Sequence, residues 1–201
     1  MSALFPDTVQ KKFKLNFPIF RVYKYSDKSG QYYCVLTESK NIVTADKDTI
    51  NHKIKAINIK VNNNSFVKTW EINDYIKRGE NEEYSIWFWI KYIDFKDYDG
   101  DGLIDPIIVY GTSALNDYGD GRIKFLVYYK GQKIAIRHQN GVLDFERETQ
   151  VDKAFYNLPQ AFQTTIKQKM ELMVKNDQAI FPVGWQTAMK NKEEIFNELN
   201  N

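Results

Sequence analysis

The sequence predicts an antiparallel α+β fold, and three observations carry that prediction. Segments such as Ile54–Val61 and Arg122–Lys130 alternate apolar and polar residues with the period of a strand. Turn residues punctuate them at short intervals. The apolar period then changes: Phe162, Ile166, Met170, Met173 and Val174 fall on one helical face. Strands first and helices last imply β-meander sheets followed by two C-terminal amphipathic helices. No linker rich in Gly, Pro or Ser divides the chain. Residues 1–201 therefore read as a single domain, with hairpins over 1–80, a sheet carrying an acidic loop over 84–148 and a helical C-terminus over 153–200.

Each element has a local reason. Residues 1–19 hold Pro6 and Pro18 around an alternating Lys-Lys-Phe-Lys-Leu-Asn-Phe run, which suits a lead-in and an edge strand. Phe20–Tyr25 and Gln31–Thr37 flank a turn with Gly30, the pattern of a hairpin. Residues 38–53 are polar and read as a loop. Ile57, Ile59 and Val61 share one face of the next strand. Asn62–Ser65 turns the chain, and Phe66–Asn73 returns. Asp74–Glu83, with Gly79, reads as a charged loop. A long strand over 84–95 and a second over 106–111 bracket the acidic loop. Arg122–Lys130 and Gln132–Gln139 form the clearest hairpin, bent at Gly131, and Val142–Glu146 suits a last short strand. Pro159 favours a helix first turn. Pro182 and Gly184 interrupt, and Trp185, Met189, Ile195, Phe196 and Leu199 suggest the second helix.

The acidic loop is the sharpest chemical signal. It reads Asp97-Tyr98-Asp99-Gly100-Asp101-Gly102-Leu103-Ile104-Asp105. Carboxylates at loop positions 1, 3, 5 and 9 can converge on one cation, with the Leu103 carbonyl as a further oxygen. Gly102, at position 6, permits the sharp turn. Hard oxygen donors in a flexible ring suit Ca²⁺ better than Mg²⁺ or zinc. Asp94 crowds in as well, and without a cation these charges repel. The predicted ligands are Asp97, Asp99, Asp101, Leu103 and Asp105. The loop departs from an EF-hand, because position 12 is Ile108 and both flanks are strand-like. Asn116-Asp117-Tyr118-Gly119-Asp120-Gly121 is at most a degenerate echo of the same pattern.

Composition narrows the classes. With 28 basic and 26 acidic residues the net charge is +2, which gives no global field for nucleic acid. No apolar run reaches the ~18 residues of a membrane span. The single cysteine, Cys34, excludes an internal disulfide and reads as a buried small hydrophobe. Extracellular calcium modules bind at about 10⁻⁴–10⁻³ M, so such a site fills outside the cytosol. A periplasmic or secreted protein is expected, with any export signal outside the sequence at hand.

Catalytic signals are sparse. His138 with Asp144 or Glu146 across a turn is a conceivable acid–base pair, set against a strand-end histidine bonded to a neighbour. Glu82/Glu83 and Glu146/Glu148 are carboxylate pairs of the kind glycosidases use, though so close in sequence that solvation is their ordinary fate. Trp87 and Trp89 can share a strand face as a sugar platform, or form core. Arg122, Arg137 and Arg147 can gather into a basic patch or serve as ordinary ion pairs. Motifs for serine or zinc hydrolases and for phosphate cradling are lacking.

The run Asp105-Pro106-Ile107-Ile108-Val109-Tyr110-Gly111-Thr112-Ser113, the acidic loop before it, and Ile136–Gly141 with Asp144–Arg147 after it resemble a poorly characterised family of small exported Gram-negative bacterial proteins. Its members carry one calcium loop like those of integrin-type FG-GAP repeats, and some are labelled surface-polysaccharide biosynthesis proteins. The resemblance covers roughly residues 84–190. It implies export and calcium, and no reaction, so no catalytic residue is carried over. The leading expectation is a non-enzymatic, calcium-stabilised binding protein of the bacterial envelope. Its partner would be a protein, for instance a secreted toxin or effector that it neutralises as an immunity protein. The alternatives are an accessory protein of surface-polysaccharide assembly that contacts carbohydrate, and a hydrolase using His138.

Overall fold

The structure, a computed structural model, describes residues 7–63, 65–77, 83–114 and 120–198. The chain gathers into two compact units. Met1–Ile76 with Tyr84–Trp87 form the first, and Lys77–Glu83 with Phe88–Asn201 the second.

In the first unit, a short helix α1 (Asp7–Lys12) replaces the expected edge strand. The alternating residues beyond it are still used: Phe13 and Leu15 are buried and pack with Val35, Ile57 and Ile59. The Lys55 ammonium fixes this segment by donating to the Phe13 and Lys14 carbonyls at 2.9 and 3.2 Å. Four antiparallel strands follow: β1 (Ile19–Asp27), β2 (Gly30–Glu38), β5 (Lys53–Asn62) and β6 (Ser65–Tyr75), in sheet order β1-β2-β5-β6. Between β2 and β5, the expected loop carries a two-residue ladder of β3 (Ile42–Val43) and β4 (Thr49–Ile50). Cys34 on β2 is fully buried, and burial pushes its thiol pKa up, as suits an inert core residue.

The second sheet has the order β13 (Ile195–Asn197), β12 (Glu148–Val151), β11 (Gln132–Gln139), β10 (Arg122–Tyr129), β9 (Asp105–Ala114), β7 (Glu83–Phe88), with β8 (Asp94–Lys96) also on β9. The long strand expected over 84–95 is broken. β7 (Glu83–Phe88) ends, a single 3₁₀ turn spans Ile90–Tyr92, and β8 (Asp94–Lys96) resumes. The break lets Trp89 and Tyr92 be buried together rather than on alternate faces. β9 (Asp105–Ala114) pairs with β10 (Arg122–Tyr129), and β10 with β11 (Gln132–Gln139). The short strand after β11 is β12 (Glu148–Val151), not Val142–Glu146, whose residues 144–146 form a 3₁₀ turn. The Gly79 loop, the Asn116–Gly119 part of the degenerate echo, and Leu199 lie outside the described residues.

Helix α2 (Gln160–Lys175) follows Pro159 and buries Phe162, Ile166, Met170 and Met173. It stops without a glycine. Asp177 adopts φ 55° and the Gln178 amide reaches back to the Met173 carbonyl at 2.9 Å, a Schellman closure. The second C-terminal helix is only six residues, α3 (Trp185–Lys190). Lys192, at φ 62°, and the Glu193 amide on the Ala188 carbonyl at 3.0 Å end it the same way. The chain then emerges as β13 (Ile195–Asn197), which pairs with β12. Among the described residues no helix is long and apolar enough to cross a membrane.

Candidate metal centre

The acidic loop is held at its two ends by the β8–β9 ladder, in which Lys96 faces Asp105 and Phe95 faces Pro106. Asp105 therefore opens a strand and is only 4% exposed, while Asp97 is exposed. Gly100 and Gly102 take φ values of 75° and 83°, the left-handed turn that L side chains disfavour. With the chain so bent, the aspartates order their own loop. Asp97 accepts the Gly100 and Gly102 amides, each at 2.7 Å. Asp99 accepts Asp101 N at 3.1 Å, and Asp105 accepts Tyr98 N at 3.1 Å.

Carboxylate oxygens of Asp97, Asp99 and Asp105 lie within 4.8 Å of one another, an arrangement that could hold a metal ion. Asp101 and Leu103, the other two predicted ligands, are not part of this triad. Asp101 accepts the Leu103 amide at 2.9 Å and lies 3.5 Å from the Lys130 ammonium. Asp94 is set apart too, with Lys96 and Lys169 each at 3.5 Å and the Tyr98 hydroxyl at 2.8 Å.

Electrostatics separates the three carboxylates. Lys130 at 2.9 Å, with the Tyr129 hydroxyl donating at the same distance, lowers the Asp99 carboxyl to about 2. Asp105 moves the other way, to about 6, chiefly through burial and then through repulsion from Asp99, Asp101 and Asp97. Lys130 thus offsets one of the loop's charges, and burial makes Asp105 hold its proton up to about pH 6, where a divalent ion would compete with it. Sequence reasoning missed Tyr129 and Lys130. Their one signal is position, at the end of β10 beside the Gly131 bend.

The remaining candidates disperse. His138 is buried, and its ring nitrogens meet Thr149 Oγ1 at 2.9 Å and Asn140 Oδ1 at 3.0 Å. Burial lowers its pKa to about 4, which favours the neutral ring, and Nδ1 also lies 3.1 Å from the Glu148 carbonyl. Asp144 instead pairs with Arg147 at 2.8 Å, and Glu146 caps Leu143 N at 3.2 Å. The acid–base pair is therefore not assembled. Trp89 is 5% exposed and belongs to the core, so the two tryptophans do not form an open platform. Glu83 is buried against Arg122, whose guanidinium donates from both Nε and Nη2, the latter at 2.8 Å; the Thr112 hydroxyl adds a third contact at 3.0 Å. Arg147 holds the Gly141 and Val142 carbonyls, each at 2.8 Å. Comparison with known protein families, curated proteins and solved structures finds no match.

Proposed function

We propose that the loop over 97–105 is a structural Ca²⁺ site in a non-enzymatic binding protein that works in the periplasm or after secretion. The observation that carries this reading is the convergence of Asp97, Asp99 and Asp105 at the foot of a two-stranded ladder. An ion there joins β8 to β9 and relieves the repulsion felt at Asp105. Leu103 and Asp101 complete the shell by turning inward when the ion arrives. A site of about 10⁻⁴–10⁻³ M affinity fills outside the cytosol, which favours export. The test is calorimetric titration with CaCl₂, alongside melting curves in calcium and in chelator. Saturable binding that Asp97→Ala removes supports the reading, and superimposable melts with no binding heat overturn it.

The partner proposed is a protein, in the concrete version a secreted toxin that this chain neutralises. Support comes from the loop after β11, where Val142, Leu143 and Phe145 are exposed, Phe145 by 64%. Arg147 fixes this loop and reaches Glu198, which also accepts Val183 N at 3.2 Å, and Val183 is 73% exposed. Fixed apolar side chains amid charged neighbours are the surface a protein partner covers. Capture of one stoichiometric partner from envelope extract in calcium, lost with Phe145→Ser, is the expected result. Equal capture by the variant removes this surface from the proposal.

A further inference from the structure

The loop between β11 and β12 is apolar at its tip, and its backbone is held from within the chain. The Val142 amide donates to Asp120 Oδ1 at 3.1 Å, and the Leu143 amide to Glu146 Oε2 at 3.2 Å. Arg147 donates to the Gly141 and Val142 carbonyls from Nε and Nη2. Its Nη1 reaches Glu198 at 3.2 Å, and that carboxylate also accepts the Val183 amide at 3.2 Å. One guanidinium and one carboxylate therefore join two separate stretches, 141–147 and the turn before α3. Val142, Leu143, Phe145 and Val183 belong to the stretches so joined, and all four are exposed. Apolar groups presented on a backbone already fixed lose little freedom when something covers them, which is the condition for a binding surface.

The charge beside these side chains has one sign. Asp144 and Glu146 stand in the loop and Glu198 against it. Among the described residues, Arg147 is the one cation at ion-pair distance from any of the three. Arg147 faces inward, with its side chain 12% exposed, whereas the Asp144 carboxylate beside it is 78% exposed. What a partner meets is therefore carboxylate rather than guanidinium. The adjoining stretches of chain do not reverse the sign. Residues 115–119, which lead to Asp120, add one charged side chain, Asp117, and residues 199–201, which follow Glu198, add none. An anionic rim repels acidic protein surfaces and anionic lipid headgroups, and it favours a cationic partner.

We propose that this surface takes a basic amphipathic segment of the protein partner. Its apolar side chains cover Val142, Leu143, Phe145 and Val183, and its lysines or arginines lie against Asp144 and Glu146. This rests on the reading of the same surface as a partner site and adds the partner's chemistry to it. It does not depend on calcium.

The test is a titration of ¹⁵N-labelled full chain at fixed ionic strength with short amphipathic peptides that combine leucine with lysine, with glutamine or with glutamate, and with phosphatidylglycerol vesicles. Saturable shifts at the Val142, Leu143, Phe145 and Val183 amides are expected with the lysine peptide, weaker ones with glutamine and the weakest with glutamate. Phe145→Ser should abolish them. Asp144→Lys should weaken the lysine peptide about five-fold and strengthen the glutamate peptide, the scale of reversing one exposed charge pair. Glu171→Lys makes an equal change of net charge at an exposed position of α2 and should leave binding of each peptide unchanged. No saturable shift at these amides with any peptide removes the surface as a partner site, and this proposal with it. Glutamine or glutamate peptide binding as tightly as lysine, or Asp144→Lys acting no more strongly than Glu171→Lys, overturns the basic partner and leaves the surface standing. Vesicles that bind through Phe145 in place of the peptides assign the surface to a membrane and overturn the proposal as well.

Discussion

Two places in the second unit solve the problem of crowded charge in opposite ways. At one, Glu83 is buried at 4% exposure and is answered by the fork of Arg122 and the hydroxyl of Thr112. At the other, Asp97, Asp99, Asp101 and Asp105 share one short loop, and Lys130 offsets a single charge. The first site is complete within the chain, and the second is proposed to be completed by an ion from outside. The partners at Glu83 come from distant strands, with Arg122 39 residues away, whereas the loop's carboxylates are neighbours in sequence. Contiguous like charges cannot neutralise one another, so a loop of this kind points outward for its counter-ion.

The comparison can be broken first at its strong end. Glu83→Ala strands a buried guanidinium and should cost about 3–5 kcal/mol in urea unfolding, whereas Glu83→Ala with Arg122→Met should cost less than the single change. A double variant no better than the single one would mean that the pair is not the source of the cost.

His138 sharpens the contrast, because there burial removes the charge instead of pairing it. Its pKa falls from 6.5 to about 4 on folding. The unfolded chain binds more protons between those values, so stability is full above pH 6.5 and is lost as pH falls toward 4, by about 3 kcal/mol. Asp105 has the opposite sign. Its raised pKa stabilises the metal-free fold at low pH, and that contribution is lost as pH rises through about 6. The quantity to measure is thus the difference in pH slope between the wild type and His138→Gln, in chelator. Equal slopes would exclude His138 as the acid-labile group.

At the loop, calcium at a hundred times its dissociation constant should add about 2.7 kcal/mol of stability. Asp97→Ala should lower the melting temperature in calcium and abolish the calcium dependence. A smaller effect is expected from Lys130→Met, which frees Asp99 of a competing cation. Calcium should bind this variant more tightly, as read by titration, and weaker binding would make Lys130 a support of the site instead of a rival.

Much of this was open to reading in the residues, and what escaped did so for stated reasons. The hairpins at Gly30 and Gly131 and the amphipathic face of α2 follow from local period and turn chemistry. The end of α3 was hidden because Lys192, not glycine, supplies the left-handed residue, and the apolar run through Phe196 continues as a strand. The break at Ile90–Tyr92 was hidden because aromatic residues suit a strand and a buried turn alike. Of the candidate ligands, the spacing placed Asp97, Asp99 and Asp105 together, and it gave no sign that Lys130 would sit 2.9 Å from Asp99 and 3.5 Å from Asp101.

The sequence alone determined where the acidic loop lies, that glycines bend it, and that strands flank it, since each of these depends on residues a few positions apart. Only the tertiary structure decided that Glu83 meets Arg122, that His138 is buried beside Asn140 and Thr149, and that Arg122, Lys124, Arg137, Gln139, Glu148 and Gln150 line one cleft. Those meetings depend on strand order and register. Both are set by the burial of whole strands, and no short stretch of chain encodes them.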